Sequence, residues 1–196
     1  MRKLHIIVTA FQRAIPLRIL IDSFLNQSYP LWTMNIIHDG RATKEIYRVI
    51  NLYDDDNRIL FFETKEINGN YGWPNRRLML ELINGEAGDF LLITNDDNYY
   101  VPKFIEFMFE KINDKVGMVY CDMVHSHLGY DVLKGKLKVN HIDMGAFITE
   151  INLAKEVGLR HDCYEADGLF AEECAQRCEE KGLETIYVAR PLFVHN

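Results

Sequence analysis

Phe90-Leu91-Leu92-Ile93-Thr94-Asn95-Asp96-Asp97-Asn98 is an apolar strand that runs straight into polar, turn-forming residues. In open α/β sheets ligands bind beyond the carboxyl ends of the strands, and Asp96 and Asp97 fall at such an end. Two adjacent carboxylates repel one another unless a cation is present. Mg²⁺ or Mn²⁺ suits them, because these ions take one or two carboxylates and complete their shell with phosphate oxygens and water.

Working outward, the same alternation recurs. Leu4 to Val8, Met34 to Ile37 and Arg58 to Phe62 read as strands before this one, and Gly117 to Cys121 as one after it. Between them lie one-sided helical patterns. Pro16 opens the first at its N1 position, with Leu17, Leu20, Ile21, Phe24 and Leu25 inward. Ala42, Ile46, Val49, Ile50 and Tyr53 share a face of the second, Arg76 to Asn84 forms the third, and Pro102 opens the fourth. Glu63 to Asn75 reads as a polar loop. The expected fold class is therefore α/β, with a mostly parallel central sheet covered by helices on both faces.

After Asp122 the regularity falls. Tyr130 to Asn140 is basic and lacks a clear period; Gly145 to Ile148 is a small strand candidate. Helices are expected from about Asn152 to Val157 and from Gly168 to Lys181, and a last strand over Thr185 to Ala189. With no linker or repeat, residues 1–196 read as one domain whose smaller, irregular second half packs on the first.

The chain has 196 residues, 48% hydrophobic and 26% charged, which describes an ordinary globular protein. Lys plus Arg is 22 and Asp plus Glu 29, a net charge of −7 that argues against general nucleic-acid or anionic-membrane binding. No apolar stretch is long enough to cross a membrane. The run after Met1-Arg2-Lys3 is too short for a signal peptide. Cys121, Cys163, Cys174 and Cys178 have no zinc-ribbon spacing and read as free thiols, so a reducing cytoplasm is the expected location.

Two further segments would share the sheet edge with Asp96 and Asp97. Thr9-Ala10-Phe11-Gln12-Arg13 follows the first strand. Asp39-Gly40 follows the second, where a carboxylate can accept from a base N–H or a ribose hydroxyl. No G-x-G-x-x-G follows either strand, and no P-loop is present.

Taken together, Ile6 to Phe11, Ser23 to Tyr29, Ile36-Ile37-His38-Asp39-Gly40 and Gly88 to Pro102 resemble the family 2 glycosyltransferases of the GT-A (Rossmann-like) fold. Within them the T-D-D-N-x-Y-x-P-like stretch is similar to the spore-coat polysaccharide type. Two features depart from the family: His38 stands where Asn or Asp is usual, and Tyr71 to Arg77 does not match the usual Arg-Asn spacing.

The resemblance implies a transferase that moves a sugar from a nucleoside-diphosphate-sugar donor to a glycan or other hydroxyl acceptor, with a divalent metal and inversion. It implies a nucleotide-binding half, 1–122, and an acceptor and catalytic half, 123–196. Thr9, Ala10, Phe11 and Asp39 would hold base and ribose, and Asn95 and Asp96 would also serve the nucleotide, Asp96 at the ribose. Arg13, Asn75 and Arg76 are further donor contacts. Asp97 and the late His195 would bind the metal. Asp167 is the expected general base, with Glu173 as rival and Glu172 beside it. Met144 and Gly145 would line the sugar pocket. His125 and His127 read as surface histidines.

A non-catalytic nucleotide-sugar-binding module and a nucleotidyltransferase are the alternatives. The latter is disfavoured by the absence of glycine before His38. A homo-oligomer is compatible with the composition.

Overall fold

A computed structural model describes residues 2–196. Strand β1 (Leu4–Ala10) is buried along its whole length, as a central strand covered on both faces must be. It pairs in parallel with β2 (Trp32–His38) on one side and β4 (Phe90–Asn95) on the other. β3 (Ile59–Glu63) adds in parallel to β2 and forms the sheet edge, where Leu60 and Phe62 are exposed. Helices α1 (Ala14–Leu25), α2 (Lys44–Ile50) and α3 (Trp73–Leu82) connect these strands. The parallel half of the sheet therefore follows the sequence pattern closely.

The second half of the sheet departs from it. β8 (Phe147–Glu150) lies antiparallel between β4 and β6 (Val116–His125). It meets β4 through two residue pairs, Phe90 with Glu150 and Leu91 with Thr149. Beyond Leu91 the two strands part, and a 3₁₀ turn at Met144–Ala146 fills the space. β9 (Glu184–His195) runs parallel to β6 and then pairs antiparallel with the short β5 (Tyr99–Tyr100). β7 (Asp131–Leu133) hangs from the end of β6. Among the described residues the order is β3-β2-β1-β4-β8-β6-β9-β5.

Three helix starts differ from the sequence expectation. Helix α1 begins at Ala14, so Pro16 sits third in the first turn, where its missing N–H still leaves no bond unmade. Helix α3 begins at Trp73 and not at Arg76, with Pro74 in its first turn and the left-handed Gly72 before it. Pro102 lies in a turn ahead of α4 (Phe104–Phe109). The last strand is also much longer than expected. Arg190-Pro191 looks like a stop, but the register with β6 shifts between Cys121 and Asp122, and Pro191 falls at that irregularity.

Helices α5 (Ile151–Val157) and α6 (Ala166–Glu180) complete the fold. Tyr100 and Phe193 are fully buried, with ring centroids 5.2 Å apart. They tie the ends of β5 and β9 into one continuous core. No helix of the described residues is long and apolar enough to cross a membrane. All four cysteines are free, and burial raises the thiol pKa values of Cys121, Cys174 and Cys178.

Candidate active site

A cavity of about 800 Å³ opens where the strands part, at the carboxyl ends of β1, β2 and β4. Thr9, Ala10, Phe11, Arg13, Asp39, Arg76 and Asn95 line it from the first half of the chain. Met144, Asp167 and His195 line it from the second.

Behind its wall lies a network of carboxylates and guanidinium groups. Asp96 is fully buried and accepts the Phe11 backbone N–H at 2.9 Å. Arg13 forms ion pairs with both Asp96 and Asp97. Burial still pushes the Asp96 carboxyl up to about 6, against the pull of Arg13. The repulsion between these adjacent carboxylates is thus answered within the chain by Arg13, so repulsion alone does not call for a metal. Arg13 faces the cavity; Asp96 and Asp97 are not among its lining residues.

Arg76 is buried, with its guanidinium 4.5 Å from the Trp73 ring centroid. It donates to the Tyr71 carbonyl at 2.9 Å and to Asn95 Oδ1, while its Nε has no partner. Burial lowers its pKa to about 10, against the opposing charges of Asp143 and Asp167. Those two carboxyls are themselves raised to about 6. Burial is the main cause in each, and for Asp167 the charge of Asp143 adds to it.

Asp39 is occupied by the chain itself. It accepts the backbone N–H groups of Asn68 at 2.8 Å and Gly69 at 2.9 Å, and the Asn75 side-chain amide at 2.9 Å. Asn75 is fully buried and also accepts from the Asn68 amide, so it sits behind the cavity wall and not on it. Together these residues fix a loop in which Gly69, Asn70, Tyr71 and Gly72 all have positive φ. A Cβ on Gly72 would lie 3.3 Å from the Thr9 side chain, which makes glycine the fitting residue at that left-handed position.

His38, the departure from the family pattern, is fully buried. Its Nε2 accepts the Gln12 N–H at 3.2 Å and its Nδ1 donates to the Gly40 carbonyl at 2.9 Å. It ties the loop after β1 to the loop after β2.

On the opposite side the two candidate bases separate. Asp167, in the first turn of α6, faces the cavity. Glu173 does not line it and instead pairs with His161 at 2.8 Å. Gly145 is also off the wall: a Cβ there would come within 2.7 Å of Tyr100 and Phe193, so it serves close packing, while Met144 lines the cavity.

His125, half-buried, and His127, exposed as expected of a surface histidine, both line the cavity. The His125 ring stacks on His195 with centroids 4.3 Å apart, and His127 stands 5.8 Å from His195. Burial lowers the pKa of both His125 and His195. The missed signal is their two-residue spacing at the end of β6, opposite the end of β9: β6 runs on to His125 and pairs it with His195. His195 also lies 3.5 Å from Asp143. Among the described residues, no three His, Cys, Asp or Glu side chains are arranged to hold a metal unaided.

The model of the family described as Glycosyl transferase family 2 matches residues 5–162. The chain belongs to glycosyl transferase family 2. No curated protein matches it in sequence. Several solved structures share the fold of this family 2 chain. S. aureus TarS 1–349 in complex with UDP superposes with a TM-score of 0.75 at 14% identity, covering 98% of this chain and 60% of that one. The same protein with UDP-GlcNAc gives 0.74 at 16% identity, covering 98% and 58%. The mannosyltransferase PcManGT from Pyrobaculum calidifontis, in complex with GDP-Man and Mn²⁺, gives 0.71 at 14% identity, covering 100% and 57%. The chain thus spans about 60% of the length of these structures, and at such identity the likeness establishes the GT-A fold.

Proposed function

We propose that this family 2 chain transfers a sugar from a nucleoside-diphosphate donor to a hydroxyl of an acceptor, with Asp167 as general base and inversion at the sugar carbon. The observation that carries this reading is one cavity lined together by the strand-end loops, Arg13, Arg76 and Asp167. That the structural neighbours were solved with UDP, UDP-GlcNAc and GDP-Man supports a nucleotide-sugar donor.

The residues divide by charge. Phe11 and Thr9 offer a packing face and a hydroxyl to the base and ribose. Arg13 and Arg76 supply positive charge for the diphosphate, at a place where a buried guanidinium lacks a partner for its Nε. Asp97 and His195 are the residues that would hold a divalent cation: Asp97 is ion-paired with Arg13, which lines the cavity, and His195 lines it 3.5 Å from Asp143. One or two protein ligands suffice for Mg²⁺ or Mn²⁺ when phosphate oxygens complete the shell. Such an ion, when bound, would offset the charge that develops on the leaving diphosphate. Asp167, with a pKa near 6, is ionised at neutral pH yet basic enough to take the acceptor proton as its oxygen attacks. The Gly168 N–H, donated to Asp167 Oδ1 at 2.8 Å, holds that carboxylate at the first turn of α6.

The test is thermal unfolding with UDP, GDP, CDP and dTDP, each with and without Mn²⁺, for wild type and Asp97→Ala. One nucleotide should raise the midpoint with Mn²⁺ far more than without it. Asp97→Ala should lose the Mn²⁺-dependent part. No shift with any nucleotide would remove the donor reading.

A further inference from the structure

The segment Lys134-Gly135-Lys136-Leu137-Lys138 puts three lysines within five residues of a chain with net charge −7. All three are exposed, and none makes an ion pair among the described residues. The segment is not a loose tail. Gly135 N–H donates to Asp122 at 3.0 Å, and Lys136 N–H and the His141 carbonyl close a turn at 3.1 Å. Val139 N–H donates to Glu172 at 2.8 Å, and Gly168 packs so tightly on Val139 that a Cβ there would lie 2.6 Å away. The lysine segment is therefore clamped onto the first turns of α6, the helix that carries Asp167. Its two ends, Leu133 and Asn140 to Ile142, line the cavity itself.

The lysine segment therefore borders the wall of the cavity that Asp167 faces. Tyr164, largely exposed, lines the cavity and presents a ring face on which the C–H faces of sugars can pack. Exposed cations at the border of a cavity that also holds an aromatic ring, on a molecule otherwise acidic, suit a sugar chain that carries negative charge. A flat anionic surface suits it less, because the remaining negative charge of the molecule would oppose it. We infer that the rim formed by Lys134, Lys136 and Lys138 receives an anionic acceptor glycan, bearing carboxylate or phosphate groups, and aligns its hydroxyl with Asp167. This inference rests on the transferase reading above and names its acceptor class.

The test measures binding of five probes: oligogalacturonate, its neutral methyl ester, a phosphorylated dextran, unmodified dextran and vesicles of phosphatidylserine and phosphatidylcholine, each at two salt concentrations. Wild type is compared with the triple variant Lys134→Gln/Lys136→Gln/Lys138→Gln, and UDP, GDP, CDP and dTDP are titrated into the same samples with Mn²⁺. The expected result is at least tenfold tighter binding of a charged glycan than of its neutral counterpart. That preference should weaken with salt and disappear in the triple variant, with the melting midpoint and nucleotide binding unchanged. Preference for oligogalacturonate names carboxylate and preference for phosphorylated dextran names phosphate, and either supports the inference. Nucleotide binding without any preference for charged glycans would overturn it while leaving the transferase reading intact. A triple variant that binds the charged glycans as well as wild type, or lysine-dependent binding of anionic vesicles with none of charged glycans, would also overturn it. No response to any nucleotide would overturn the transferase reading, and this inference with it.

Discussion

Asp167 keeps its negative charge against the pull of its surroundings. Its pKa is raised from 3.8 to about 6, chiefly by burial. A carboxyl raised in the folded state binds protons there that the unfolded chain has already released, so its contribution to stability falls as pH climbs from about 4 to about 6. Asp167→Asn should therefore unfold at higher denaturant than wild type at pH 7.5, by about 3 kcal/mol, and nearly match it near pH 4. The same variant should lose about 10²- to 10⁴-fold in transfer while still binding nucleotide. In wild type the rate should rise with pH through about 6 as the base ionises. A variant that loses stability at pH 7.5, or keeps its rate, would remove Asp167 from the role. His38 gives the complementary case. His38→Ala leaves the Gln12 N–H and the Gly40 carbonyl without their partner, and each group stranded in the interior costs about 1–3 kcal/mol. A urea midpoint unchanged from wild type would show that water replaces the ring at no cost. Residue type and strand-end position made Asp96, Asp97 and Asp39 visible in the sequence. The partners of His38 were not visible, because Gln12 is 26 positions away and only the folded sheet brings it near.

At the scale of elements, the parallel strands were legible because β1 and β4 are almost wholly apolar and each is followed by a one-sided helix. The antiparallel insertion of β8 was not, since four residues after a Gly-Ala pair carry no direction. The length of β9 was hidden by Pro191, whose meaning depends on the irregular register with β6. That strand bears a heavy share of the site. Phe193, packed against Tyr100, holds the end of β9 that brings His195 against His125 and Asp143. Phe193→Ala should cost about 3–5 kcal/mol in denaturant unfolding, as large buried aromatics do. It should also weaken any Mn²⁺-dependent stabilisation by nucleotide more than stabilisation by nucleotide alone. Equal losses in both would place His195 outside the metal region.

At the scale of the whole molecule, one cavity draws on most of the chain, from Thr9 to His195. Ligand binding should then stabilise the fold as a unit. At a nucleotide concentration 100 times its dissociation constant the gain is about 2.7 kcal/mol, a midpoint shift of about 5–10 °C for a chain of this size. A calorimetric scan showing a single shifted transition is the expected result; a shift confined to one of two transitions would show that the halves melt apart. The anchored loop at Asn68 to Gly72 bears on how fast this happens. Asp39, Asn75 and Arg76 already hold it in its left-handed course. On the proposed donor reading, a nucleotide that meets this loop finds it already held in shape. Mixing experiments should accordingly record one exponential phase whose rate climbs in proportion to nucleotide concentration, whereas a plateau would reveal a rearrangement between encounter and capture.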